Sequence, residues 1–273
     1  DTLVENVRIT ASRGRGIVFD GKDAFEGAPL EAARNVVRDC VITGVPGDGI
    51  QLLAAAESRV ERCAITSAGR HGISVAKAST IASQANKKSL DNVLAANVVR
   101  DSGHDGINIT SSDRTQLLGN IIVNSSSSVT GGDGIRLSAA DGISCDANVV
   151  QGNTANDTRV VKRQRFGLNV SDPLCARTDV RENDFSSNLR GPIQDLGTDT
   201  IFSVSVDLEA PTVPTAPSVA ADASRVAVTW SEATDNVGVA GYTVYRDGVP
   251  VGTVGFGTLS FSDTTVAGST TYS

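Results

Sequence analysis

Residues 97–109 read Asn97-Val98-Val99-Arg100-Asp101-Ser102-Gly103-His104-Asp105-Gly106-Ile107-Asn108-Ile109, and parts of this stretch recur from the start of the chain to about residue 200. The Gly106-Ile107 pair is matched by Gly16-Ile17, Gly49-Ile50, Gly72-Ile73, Gly134-Ile135 and Gly167-Leu168, and less well by Gly191-Pro192-Ile193. Successive glycines lie 33, 23, 34, 28, 33 and 24 residues apart, so one unit recurs with insertions. A fixed period of this size is the mark of a solenoid, in which each unit buries its apolar face only against its neighbours.

Further columns align on the same units. Short strands are expected to begin at Val7, Cys40, Cys63, Asn97, Asn120, Asn148 and Asn183, and two residues later stand Ile9, Ile42, Ile65, Val99, Ile122, Val150 and Phe185. Three residues before each start stand Val4, Val37, Val60, Leu94, Leu117, Cys145 and Val180. After the glycine, period-two alternation points Ile17, Ile50, Ile73, Ile107, Ile135 and Leu168 inward, then Phe19, Leu52, Val75, Ile109, Leu137 and Val170. Three short strands per turn, with turns about 4.8 Å apart, stack like residues over like. The Asn97, Asn120, Asn148 and Asn183 column reads as an asparagine ladder at a bend.

Composition excludes several function classes. A net charge of −7 would repel nucleic-acid phosphates, and no apolar run approaches the roughly 20 residues of a membrane span. Cys40, Cys63, Cys145 and Cys175 form no CxxC pair and lack zinc-site spacing. Buried free thiols are the expectation for them. There is no Met, not even at position 1, so a signal peptide preceding Asp1 is compatible with the chain.

Residues 1–205 therefore resemble the right-handed parallel β-helix repeat proteins of the pectin-lyase-like superfamily, through an N-x-I/V…G-I-x-L/V pattern seen seven times. The resemblance implies an all-β fold of about seven rungs. For activity it implies a range: polysaccharide lyases, hydrolases, epimerases, tailspikes and non-catalytic surface proteins.

Residues 206–217, with Pro211, Pro214 and Pro217, read as a linker. From 218 to 273 the strands Arg225–Trp230, Gly241–Arg246 and Val249–Val254, with the Asp247-Gly248 turn, resemble a fibronectin type III module of secreted bacterial polysaccharide-active enzymes. Trp230 would be its core indole, and Tyr272 would sit at the tyrosine corner that opens the sixth strand. The expectation is thus an incomplete β-sandwich.

Chemistry concentrates just before the glycines, where the column reads Arg15, Asp48, His71, Asp105, Asp133, Phe166 and Arg190. Arg70 and His104 lie one residue earlier, and Gln51, Ser74, Asn108, Arg136 and Asn169 lie after the Gly-Ile pair, together forming a polar stripe on one face. Both histidines of the chain are in it. Asp48 and Asp105, two rungs or about 9.6 Å apart, approach the carboxyl spacing of inverting glycosidases. Asp105 and Asp133, one rung apart, should repel and raise the pKa of one, unless Arg136 offsets the effect.

Gly69-Arg70-His71-Gly72 is similar to the Gly-His-Gly motif of the polygalacturonase branch, and Gly47-Asp48-Gly49-Ile50 partly resembles its Asn-Thr-Asp-Gly motif; its Asp-Asp pair and Arg-Ile-Lys motif have no counterpart here. The rival reading is that Asp-Gly dipeptides simply make turns. Insertions at 20–33, 76–90, 125–131 and 153–165 could wall a groove, with Lys162, Arg163 and Arg165 suited to carboxylated sugars.

The expected function is a secreted or cell-surface polysaccharide hydrolase or lyase of bacterial type, acting on uronate glycans. Asp105 or Asp133 would be its acid, Asp48 its base, and His71 or His104 would assist; in a lyase a His or Arg would take the proton. Gln51, Arg70, Asn108, Arg136, Lys162, Arg163 and Arg165 would bind substrate. The alternative is a non-catalytic glycan-binding or adhesive solenoid. A monomer is expected, with no cofactor; the Asp column leaves room for calcium, although no cage of oxygen ligands can be read.

Overall fold

The computed structural model describes residues 1–21, 32–78, 87–129, 131–203, 211–215, 217–222, 224–234, 239, 241–255 and 258–272. The chain divides into two compact units, Asp1–Ser205 and Val206–Ser273. Half of the predicted linker, and the greater part of the insertions at 20–33 and 76–90, lie outside the described residues.

The first unit is a coil of parallel strands in stacked sheets. One sheet holds Ile17–Asp20, Ile50–Leu53, Ile73–Ala76, Ile107–Thr110, Ile135–Ser138, Phe166–Val170 and Gly191–Asp195, in chain order. A second holds eight strands from Leu3–Glu5 to Ile201–Ser203, and a third holds six from Arg8–Thr10 to Thr154–Asn156. Pairing is in register: Ile50 lies between Ile17 and Ile73, and Ile107 between Ile73 and Ile135. The inward columns are buried as expected, with Ile50, Ile73, Ile107, Leu52, Val75 and Ile109 at 0% exposure. Each such side chain contributes about 1.5–3 kcal/mol on burial.

Single residues in the left-handed region turn the chain between strands, including Asp39 (φ 55°), Arg62 (φ 51°) and Ala96 (φ 52°). The bend after Ala96 is held by asparagines. Asn97 Nδ2 donates to Asn120 Oδ1 (2.9 Å), Asn120 Nδ2 to Asn153 Oδ1 (2.9 Å) and Asn153 Nδ2 to Asn183 Oδ1 (3.1 Å).

Asn153, rather than Asn148, is therefore the ladder's member in the sixth coil. Ala155 follows Ile122 in the column expected for Val150, which pairs instead with Leu117. Cys145 leaves the Val column and pairs with Cys175 in a separate two-stranded sheet. Asn153 is 14 residues before Gly167, the same spacing as Asn120 to Gly134, and that equality marks the register that the apolar Val150 obscures. All four cysteines are free and buried.

From Gly16 to Gly167 the recurring glycine answers to crowding, not to a left-handed backbone. A Cβ on Gly106 would stand 2.2 Å from Ile122 Cγ2 and 2.7 Å from the Gly134 carbonyl oxygen, and one on Gly72 would stand 2.2 Å from Val99 Cγ1. The turn explanation for these Asp-Gly pairs accordingly needs a different basis.

The second unit has an antiparallel sheet of Ser218–Ala221, Val226–Thr229 and Ser260–Asp263 and a hairpin of Gly241–Arg246 with Val249–Gly255. The Trp230 and Tyr242 rings lie 5.4 Å apart. Among the described residues no helix is long and apolar enough to cross a membrane.

Candidate functional site

Because the coils stack in register, Asp48, His71, Asp105, Asp133 and Phe166 occupy one column. The last member is Gly191, which pairs with Phe166 and displaces Arg190 by one position. The polar stripe is largely buried along this column. Asp48 and Asp133 are 0% exposed, Asp105 3% and His71 9%. The outward residues Gln51, Ser74 and Asn169 are buried too.

Burial follows from what the carboxylates do. Asp48 Oδ1 accepts the backbone N–H of His71 in the next coil (3.1 Å), and its Oδ2 accepts Gln51 Nε2 (2.9 Å). Asp105 Oδ1 accepts the N–H of Asp133 (2.7 Å), again one coil on. Asp133 is gripped by Arg165 through Nε (3.1 Å) and a terminal nitrogen (2.7 Å), and by Asn169 Nδ2 (2.8 Å). The pre-glycine aspartates thus tie coils together.

Burial pushes the Asp133 carboxyl above the usual carboxylate range; the Arg165 and Asn169 hydrogen bonds pull it back, and the charge of Asp105 raises it again. The rise foreseen from like-charge repulsion is present, but desolvation is its main cause. The cation that opposes it is Arg165, whereas Arg136 donates from Nε to Ser171 Oγ (3.2 Å).

An opening of about 480 Å³ remains over the middle coils, where His71, His104, Asp105, Asn108 and Arg136 converge. His71 Nδ1 lies 3.3 Å from Asp105 Oδ2, and the two imidazoles meet edge to face with centroids 5.6 Å apart. His104 is half-buried, so it is the more accessible of the pair. His71 Nδ1 lacks a well-aligned hydrogen-bond partner despite its proximity to Asp105.

Of the other predicted residues, Asp48, Gln51 and Asp133 lie outside this lining, and Arg70 is exposed beside it. Lys162, Arg163 and Arg165 are on the loop after Asp157. Lys162 Nζ donates to the Asp157 carbonyl and to Ser187 Oγ, and Arg163 donates to the Ser127 carbonyl (2.6 Å). Among the described residues no group of three or more His, Cys, Asp or Glu is placed to hold a metal ion.

Sequence reasoning missed the groove's other lining. Thr110 and Ser138 share a hydrogen bond (3.0 Å) on its floor, and Ala139 and Ala140 form an edge. That edge is built by Ser111, whose Oγ donates to the Ile143 carbonyl (2.7 Å) and accepts the Ala140 N–H (2.9 Å). Small polar residues after a strand carry little signal. Asp157 was missed as well, although an aspartate preceding the four basic residues Arg159, Lys162, Arg163 and Arg165 is a readable clue. It is fully buried, and burial pushes its carboxyl up; Arg159 and the N–H groups of Arg163, Gln164 and Arg159 outweigh this and hold it well below the usual range.

Residues 1–138 match the family model described as right handed beta helix region. Among solved structures, the chain is similar to the A-modules of two mannuronan C-5 epimerases of Azotobacter vinelandii. For AlgE4 the identity is 14% and the TM-score 0.53, over 74% of this chain and 59% of that one; for AlgE6 they are 11% and 0.52, over 74% and 57%. Among curated proteins, an alpha-amylase of Niallia circulans is 42% identical over 67 residues, which is 24% of this chain and 5% of the relative. An amylopullulanase of Thermoanaerobacterium saccharolyticum is 43% identical over 73 residues, or 25% and 6%. The chain therefore spans only a small part of these curated relatives and less than two thirds of the epimerase modules. With the family model covering half of its length and the parallel coils laid out in register, the chain belongs to the right-handed β-helix family.

Proposed function

We propose that this protein acts on a uronate-containing polysaccharide in the groove over coils three to five, by proton transfer at the carbon next to the carboxylate. The observation that carries this reading is the convergence of His71, His104, Asp105 and Arg136 on one opening. Arg136, which has no carboxylate partner among the described residues, would bind and neutralise the substrate carboxylate and so acidify the adjacent C–H. His104 would take that proton, with His71 and Asp105 behind it. In elimination the electron pair forms the ring double bond, the glycosidic C–O bond breaks, and the leaving oxygen gains a proton.

Two-carboxylate hydrolysis is the weaker version, because Asp48 and Asp133 are buried and bonded, leaving no room for the attacking water that the inverting geometry needs. The burial of these aspartates also favours a second reading, a non-catalytic glycan-binding or adhesive solenoid. Arg70 and the loop cations Lys162 and Arg163 would then contact the glycan, with Arg165 held on Asp133 behind them, without cofactor or metal.

The second unit we read as a fibronectin type III-like spacer on a secreted or surface-bound monomer. The shared stretches with the two starch-acting enzymes are about its length, and Tyr272 Oη accepts the Ala267 N–H (2.8 Å) in the manner of a tyrosine corner. The test is to incubate the protein with mannuronan, the polymer named for the similar epimerase modules, and with polygalacturonate, following unsaturated ends and reducing ends separately. Unsaturated products lost in Arg136→Ala and His104→Ala support the reading. Reducing ends without unsaturation would replace it with hydrolysis.

A further inference from the structure

We infer that the edge formed by loops 157–165 and 186–190 is a docking site for an anionic lipid surface. Val160 and Val161 are 102% and 76% exposed, and Leu189 beside them is 52% exposed. These three apolar side chains share the edge with Lys162, Arg163 and Arg190, none of which pairs with a carboxylate among the described residues. In a chain of net charge −7 this is a local reversal of sign.

The edge is rigid. Asp157 accepts Arg159 through two nitrogens (2.8 and 2.7 Å) and the N–H groups of Arg163 (2.7 Å) and Gln164 (2.9 Å), so the valines are held out by a fixed turn. The neighbouring loop is tied on through Leu189 N–H to the Gln164 carbonyl (2.9 Å) and Gln164 Nε2 to Asn188 Oδ1 (2.8 Å). Arg159 is held by Asp157, and Asp184 accepts the Ser186 N–H and Asn156 Nδ2, so the cations left without a carboxylate at this edge are Lys162, which is half-buried, and the exposed Arg163 and Arg190.

A convex tip of two valines offers a protein partner too little flat area for a specific interface. A bilayer deforms around such a tip, while flanking cations reach the headgroup phosphates. A soluble polyanion would use the cations but has no use for exposed valines.

The test is co-sedimentation of the full chain with vesicles of phosphatidylglycerol and phosphatidylcholine, against vesicles of phosphatidylcholine alone, with polyphosphate as a soluble polyanion. The expected result is binding to the anionic vesicles only, weakened about tenfold or more in Val160→Ser/Val161→Ser and abolished in Lys162→Ser/Arg163→Ser/Arg190→Ser. None of the five sites is buried, and circular dichroism checks that the variants fold. Absence of anionic-vesicle binding by the parent protein, or binding indifferent to the two serines, overturns the inference. So does polyphosphate binding with no vesicle binding. None of these outcomes bears on the groove, whose proposed residues His71, His104, Asp105 and Arg136 are left unchanged.

Discussion

Replacing Arg165 by Met separates a structural aspartate from a catalytic one. The substitution keeps the aliphatic stem but removes both donors from Asp133, whose side chain is fully buried. Breaking a buried pair from one side costs about 3–5 kcal/mol. Arg165 is 26% exposed and Asn169 still donates to the carboxylate, so the lower end, about 3 kcal/mol, is expected at neutral pH. With a urea slope of about 2–3 kcal/mol/M, the midpoint of the β-helix transition should fall by about 1–1.5 M.

The sign of the pH dependence follows from the raised carboxyl of Asp133. Between the unfolded and folded pKa values the native state binds more protons than the unfolded one, so stability from this group is full below the unfolded value and declines as pH rises through the folded one. Removing Arg165 pushes the carboxyl further up, so the deficit should shrink as the pH is lowered toward the ordinary aspartate range. Asp133→Asn/Arg165→Met should recover most of the loss at neutral pH. Urea melts at neutral and acidic pH test this. A midpoint shift under about 0.3 M, or a shift equal at both pH values, would refute the reasoning.

Other expectations concern the coil itself. Asn120→Ala strands the Asn97 N–H and the Leu94 carbonyl inside the ladder and should cost about 2–4 kcal/mol by denaturant melt. Gly106→Ala forces a methyl against backbone and Ile122, and should lower stability by about 1–3 kcal/mol in the same assay. Ala96→Gly relieves a left-handed non-glycine residue and should be neutral to slightly stabilising, whereas Ala96→Val should destabilise; thermal melts rank the three. Burial pushes the Cys63 thiol up to about 11, so a thiol reagent at mildly alkaline pH should leave it unlabelled until urea is added.

The coil was legible because its core repeats: Ile50, Ile73, Ile107 and Ile135 each follow a glycine and each sit under the next. Register failed in the sixth coil, where Val150 looked as apolar as the Ala155 position required and Asn148 mimicked Asn153, and again in the last, where Gly191 pairs with Phe166 rather than Gly167. The site was half legible. The column before the glycine could be lined up from spacing, and the histidines were placed together because they are the chain's only two. Whether an aspartate faces water or the next coil's N–H is a matter of angles, which spacing does not encode. Asp48 and Asp105 therefore read alike in sequence although only Asp105 reaches the groove. The groove's edge depends on Ser111 bonding across a turn, a contact between residues 29 and 32 apart that no local pattern announces.

The most direct measurement is proton exchange at the uronate C5 position, followed by NMR with mannuronan in deuterated water. The account predicts, with the parent protein, either deuterium at C5 of the intact polymer or loss of the C5 proton as unsaturated ends form, and neither with His104→Ala or Arg136→Ala. Binding of the polymer with the C5 proton untouched, or C5 chemistry that survives both substitutions, would contradict it.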